Sequence, residues 1–181
     1  MKKFCSFFKE NFYYFIIYAF IGWLYELIFF FIRDGKLINR GFLYGPYLPI
    51  YGFGALILLY MLKDFVMKKR YIFKLNITPV LVFVIIFVVT TIVEYIGHFI
   101  LDEFFGIVLW DYSKDFLNIN GRVCFYASRN FAIGGTFCIY LLQPRFEKLY
   151  KKMKQKFKTV LILIMGLIFF IDLLVTILGR L

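Results

Sequence analysis

Glu94 and His98 stand one helical turn apart in the stretch ITPVLVFVIIFVVTTIVEYIGHFIL, whose other side chains are almost all apolar. Asp102 follows at the same interval, so the three titratable groups drift slowly around one helix face. A carboxylate and an imidazole so arranged suit a proton relay, a cation site or a stripe that holds a polar substrate. The competing duty is structural: Glu94 accepts hydrogen bonds from His98 or Arg129 and locks helices together. Glu26 lies inside an earlier apolar run and Arg129 inside a later one. A charged side chain at the bilayer centre costs about 2.5–3.5 kcal/mol or more, so such groups face protein or water rather than lipid.

The elements that must position these groups follow from composition. The chain has 181 residues, 62% hydrophobic and 23% aromatic, with a mean hydropathy of +0.80. A soluble domain of this size cannot bury so much apolar surface, so the class is a polytopic, all-α membrane protein forming one transmembrane domain. Five apolar runs are expected, at about 12–32, 47–62, 77–101, 123–143 and 159–179. The second is short and opens on Gly45-Pro46-Tyr47-Leu48-Pro49-Ile50-Tyr51-Gly52. Proline removes backbone donors there, which predicts a broken or re-entrant segment, tolerated only where protein or water satisfies its backbone. The start, MKKFCSFFKENFYYF, has leading lysines but is interrupted by Lys9 and Glu10, and reads as a retained first helix rather than a cleaved signal.

Loop charge predicts the orientation. Lys2, Lys3 and Lys9 precede the first run; Lys63, Lys68, Lys69, Arg70 and Lys74 follow the second; seven more, from Arg145 to Lys158, follow the fourth. The opposite loops carry fewer, so the N-terminus is expected in the cytoplasm and the C-terminus outside. The net charge of +11 is then mostly an orientation signal. Basic residues confined to juxtamembrane strips point to anionic lipid headgroups or a partner's acidic surface, and not to nucleic acid. Cys5, Cys124 and Cys138 fit no disulfide or zinc spacing, and a single histidine leaves no expected metal site. No cofactor is implied.

Residues 12–62 and 77–143 follow a similar plan, with 159–179 as a final helix. Each half has an acid about two-thirds across its first helix, Glu26 or Glu94. Each then has an outer cluster, Asn39-Arg40-Gly41 or Asn120-Gly121-Arg122. Such a parallel repeat would put a site between the halves, in the outer part of the membrane; coincidence is the alternative. The loop from Asp102 to Arg122 mixes aromatics with acids. Trp110 and Tyr112 suit a headgroup-level anchor, while Asn118, Asn120 and Arg122 suit a lid that offers donors to a polar or anionic ligand. Arg129 either snorkels to the interface or pairs with Glu94 or Glu26, and Asp172 in the last run is expected to reach water.

Four strings together resemble a bacterial membrane family: Gly22-Trp23-Leu24-Tyr25-Glu26, NRGFLYGPYLPIYGFGA (39–55), EYIGHFILDEFFGIVLWDYS (94–113) and NINGRVCFYAS (118–128). The pattern is similar to the putative ABC-transporter type IV (CmpB-like) proteins over most of residues 22–135. The resemblance implies a multi-span membrane protein of the bacterial cell membrane with a transport role. It marks Trp23, Tyr25, Glu26, Asn39, Arg40, Gly41, Gly45, Pro46, Pro49, Tyr51 and Gly52. In the second half it marks Glu94, Tyr95, Gly97, Trp110, Asp111, Tyr112, Asn118, Gly121, Arg122 and Ser128. After that serine the family pattern continues to a Trp-Gly, whereas this chain has Arg129-Asn130-Phe131-Ala132, which makes Arg129 a local specialisation.

The sequence therefore favours a permease-like or substrate-binding membrane subunit handling a small polar solute. The expected site draws on Glu26, Glu94, His98, Arg129, Asn39, Arg40, Asn118, Arg122, Tyr25, Trp110 and Asp111. The chain has no GxxxxGK[ST] motif, so an ATP-driven mechanism needs an ATPase or another membrane subunit, whereas an ion-coupled carrier could work as a homodimer. An intramembrane enzyme acting on a lipid-linked substrate is the second reading, with His98 as acid–base group, but no serine or cysteine has an adjacent base to make it a nucleophile. A non-catalytic scaffold or sensor is the third.

Overall fold

The computed structural model describes residues 2–37 and 41–179. Helix α1 (Lys2–Asp34) is followed by α2 (Pro49–Met67) and by two-residue antiparallel strands β1 (Tyr71–Ile72) and β2 (Leu75–Asn76). Then come α3 (Thr78–Phe105), α4 (Phe125–Phe137), a π-helical turn (Cys138–Leu142), α5 (Gln143–Lys152) and α6 (Gln155–Leu178). Four of these, α1, α2, α3 and α6, are long and apolar enough to cross a membrane.

The expected fourth run, 123–143, takes a different form. It belongs to a helical element that continues to Lys152 and is widened at Cys138–Leu142, where the Gln143 amide reaches back to the Cys138 carbonyl. Pro144 is the physical reason. In a regular helix its ring would meet the carbonyl four residues earlier, and a π turn relieves that clash. The Arg145 guanidinium donates to the Leu141 carbonyl at 2.8 Å just beyond it.

The chain forms two compact units, Met1–Phe53 with Phe146–Leu181, and Gly54–Arg145. In the first, α1 and α6 run in the same direction. Lys9 Nζ donates to Thr159 Oγ1 at 2.8 Å, and further along Phe15 meets Phe169 edge-on with centroids 5.5 Å apart. Tyr13 and Tyr14 of α1 stack around Tyr150 of α5, over which Lys158 Nζ sits 4.2 Å from the ring centroid.

In the second unit α3 and α4 are antiparallel and close. A Cβ on Gly135 would press on Ile86 Cγ2, so the glycine lets the two backbones approach. Thr91 Oγ1 donates to the buried Ser128 Oγ at 2.7 Å across the same seam. Leu58 and Leu62 of α2, Val82 and Ile86 of α3, Ala132 of α4 and Ile139 complete this unit's apolar core.

The Gly45–Pro46 segment is not helical. Its Leu43, Tyr47 and Leu48 are buried, and the Leu48 amide donates to the Ala19 carbonyl at 2.9 Å, halfway along the apolar part of α1. Backbone at such depth must find protein partners. The Tyr44 and Gly45 amides donate to the Asp172 carboxylate at 3.1 and 2.8 Å, and the Tyr47 amide to the Gly45 carbonyl at 2.9 Å. Pro46 and Pro49 have no donor to satisfy. The expected break in the helix is therefore present, and Asp172 is the residue that takes up its Tyr44 and Gly45 amides. Asp172, expected to reach water, is half-buried, and besides these amides its carboxylate accepts from Tyr47 Oη at 2.7 Å and Thr176 Oγ1 at 3.3 Å.

Candidate functional site

In the second unit the C-terminal half of α3 presents Glu94 and His98 on its covered face, 4% and 6% exposed. The chain leaves α3 at Gly106, whose left-handed backbone (φ 62°) stops the helix, and residues 107–124 fold back over that face. Tyr112 Oη donates to Glu94 Oε1 at 3.1 Å. His98 Nε2 lies 3.0 Å from the Trp110 carbonyl, and the two rings meet edge-on at 5.3 Å. A carbonyl only accepts, so Nε2 carries a hydrogen there, and in the neutral ring Nδ1 is a lone-pair acceptor. That Nδ1 is buried and meets no hydrogen-bond partner among the described residues.

The returning loop is held to α3 by Arg122. Its guanidinium bonds Asp102 Oδ2 at 3.1 Å and Glu103 Oε1 at 3.2 Å, and lies 5.0 Å from the Phe99 ring centroid. These acids, Asp102 first, hold the guanidinium above its ordinary pKa. Its backbone carbonyl accepts from Trp110 Nε1 at 2.9 Å, which ties the two ends of the loop together.

The loop's tight turns come from Asn120 and Gly121, both with left-handed φ. Gly121 is obligatory for a second reason: a Cβ there would meet Ser113 Oγ and Asp111 Oδ1. Asp111 caps the Ser113 hydroxyl and amide, and these two bonds hold its carboxyl below the usual carboxylate range. Asn118 Nδ2 donates to the Ser113 and Asp115 carbonyls, while its Oδ1 accepts from the Gly121 amide at 3.2 Å. Asn120 Nδ2 donates to Tyr95 Oη at 3.0 Å.

The expected site residues thus divide. His98 and Trp110 meet directly, and Glu94, one turn away, is bonded by Tyr112. Arg122, Asn118 and Asp111 build and fasten the loop, so the donors expected to greet a ligand are engaged within the protein. Arg129 is exposed, bonds the adjacent Asn130 Oδ1 at 3.0 Å and lies 5.3 Å from the Tyr126 centroid. Asn39 and Arg40 lie outside the described residues.

Glu26 belongs to the other unit. Its Oε1 accepts from Tyr51 Oη at 2.9 Å. Tyr51 reaches it by passing over Gly22, where any Cβ would run into the Tyr51 ring. Tyr25 is 39% exposed and stacks on Phe29 at 6.0 Å. Sequence reading placed both acids but did not assign their phenolic donors, Tyr51 and Tyr112. The usable signal was a tyrosine in the chain that follows each acid's helix. Asp172 carried no such signal, because its partners Tyr44, Gly45 and Tyr47 lie more than 120 positions away.

Four membrane-length helices, a protein-satisfied non-helical segment and buried polar groups within apolar spans define a multi-pass α-helical membrane protein. The chain belongs to the family described as Putative ABC-transporter type IV, whose sequence model matches residues 13–177, and it is a transport-related membrane protein. No curated protein and no solved structure matches the chain.

Proposed function

We propose that the protein is the permease-like or solute-binding subunit of a transport system for a small polar solute in the bacterial cell membrane. On this reading its N-terminus is cytoplasmic, and an ATPase or another membrane subunit supplies the energy. The observation that carries the reading is His98 Nδ1, a buried ring nitrogen, an acceptor in the neutral ring, with no partner among the described residues, one turn from the buried Glu94 in an apolar span. A buried acceptor left without a donor costs about 1–3 kcal/mol, and such costs concentrate where a ligand supplies the missing group. A solute O–H or N–H meets that need. Glu94 adds charge discrimination, and Tyr112 holds its carboxylate in place. Arg122, Asn118 and Asp111 position the covering loop instead of touching solute.

The test is a thermal-stability screen of small polar solutes on the full chain in nanodiscs, followed by uptake measurements in cells. A solute that stabilises the wild type should fail to stabilise Glu94→Gln and His98→Leu, and uptake should fall at least about tenfold, as for the loss of one buried polar contact. Equal uptake by wild type and Glu94→Gln at equal expression would sink the proposal.

A further inference from the structure

The connection between α2 and α3 is more than a tether. Its base is closed by three hydrogen bonds: the Ile77 amide to the Arg70 carbonyl at 2.9 Å, the Arg70 amide to Thr78 Oγ1 at 2.7 Å, and the Thr78 amide to Asn76 Oδ1 at 3.1 Å. The Arg70 guanidinium lies 3.6 Å from the Phe65 ring centroid, which fastens the hairpin to the end of α2. On this base stands the strand pair Tyr71↔Asn76 and Ile72↔Leu75.

The tip is Phe73-Lys74, with φ of 47° and 67°. Two left-handed residues make the turn that hairpins ordinarily build from Asn-Gly. Phenylalanine is among the residues least suited to that backbone, and here its side chain is also 95% exposed. Leu75 is 72% exposed, Tyr71 58% and Ile72 52%. Conformation and water thus both disfavour the residue at the tip, while a rigid base holds it out. Lys68, Lys69 and Lys74 are exposed around it, and residues 68–77 contain no acid.

We propose that this hairpin is an interfacial anchor for anionic phospholipid. The apolar run of α3 begins at Ile77, so the hairpin's base lies at the edge of the hydrocarbon. From there Phe73, Ile72 and Leu75 reach the headgroup–acyl boundary, and the three ammonium groups meet lipid phosphates. Apolar side chains among lysines are the chemistry of a peripheral membrane contact. The anchor stands on this loop's geometry alone and is independent of any solute site.

Tryptophan placed at the tip tests it. Phe73→Trp in the full chain, reconstituted in nanodiscs, adds an emission component to that of Trp23 and Trp110. The component should be quenched by lipids brominated high on the acyl chain, more strongly with phosphatidylglycerol than with phosphatidylcholine alone. Quenching by aqueous iodide, indifferent to brominated lipid and headgroup charge, would overturn the proposal and leave the tip free for a soluble partner. Phe73→Gly relieves the turn, so it should fold at least as well as the wild type while Lys74→Gln keeps the turn and loses one charge. Each should reduce phosphatidylglycerol retained in native mass spectrometry, Lys74→Gln by roughly fivefold. Unchanged retention in both would equally overturn it.

Discussion

Tyr112 donates its phenolic hydrogen to Glu94 Oε1 over 3.1 Å, reaching back across 18 positions of chain. In the other unit Tyr51 makes the same bond to Glu26 over 2.9 Å, across 25 positions. Each of these two acids thus receives a tyrosine from the chain that follows its helix. The likeness gives the expected repeat of 12–62 and 77–143 a chemical content, and we propose that the two halves share this acid–tyrosine pairing as a common design. Tyr112→Phe keeps the ring and removes the bond, so it should cost about 1–3 kcal/mol because Glu94 is buried. The unfolding midpoint in nanodiscs should drop by about 2–4 °C per kcal/mol. A midpoint equal to the wild type would show that the pairing is incidental.

Glycine substitutions separate a conformational requirement from mere presence. Gly121 has φ 70° and would drive a Cβ onto Ser113 Oγ and Asp111 Oδ1, whereas nothing lies within 4 Å of a Cβ on Gly134. Gly121→Ala should cost about 1–3 kcal/mol and speed amide exchange across 107–124. Gly134→Ala, inside α4, should be neutral or stabilising by up to about 1 kcal/mol. Similar exchange in the two variants would contradict the turn geometry.

Asp172 offers a test confined to the first unit. Its Oδ1 accepts from the Tyr44 amide and its Oδ2 from the Gly45 amide, and asparagine keeps only one oxygen. Asp172→Asn should therefore leave one amide facing an NH2 group, at a cost of about 1–3 kcal/mol. Exchange should accelerate at Tyr44 and Gly45 while α3 amides stay protected. Uniform acceleration along the whole chain would instead point to global loss of structure.

Acidification should loosen the covering loop through Asp111. The Ser113 hydroxyl and amide favour the carboxylate, so the folded-state pKa lies below the ordinary 3.8. A depressed carboxyl contributes stability that is complete above its unfolded value and is lost as pH falls through the folded one. Trp110 emission, read in a Trp23→Phe background, should be steady from neutral pH to about 4, near the unfolded aspartate value, and change below it. Asp111→Asn should abolish that step. Persistence of the step in the variant would assign it to another group.

The class of this protein was legible in its residues. Apolar runs of bilayer length permit little but helices, and two prolines beside glycines announce a segment that cannot be helical. The four quoted strings led to the family that the match over residues 13–177 establishes. Burial of Glu94 and His98 followed from the apolar character of their neighbours. The π turn before Pro144 was not foreseen, because a hydropathy run records length but not the clash of one ring with one carbonyl.

Partnership belonged to the tertiary structure. Arg122 engages Asp102 and Glu103 because Asn120 and Gly121 turn the chain back on α3, and no periodicity encodes that return. Asp172 meets Tyr44, Gly45 and Tyr47 only because α6 packs beside α1 and brings distant backbone donors to one carboxylate. Sequence by itself determined which polar groups had to leave the lipid, since that cost depends on residue type and span. Which partner each one found depended on where packing brought donors within about 3 Å, a range over which chain order carries no information.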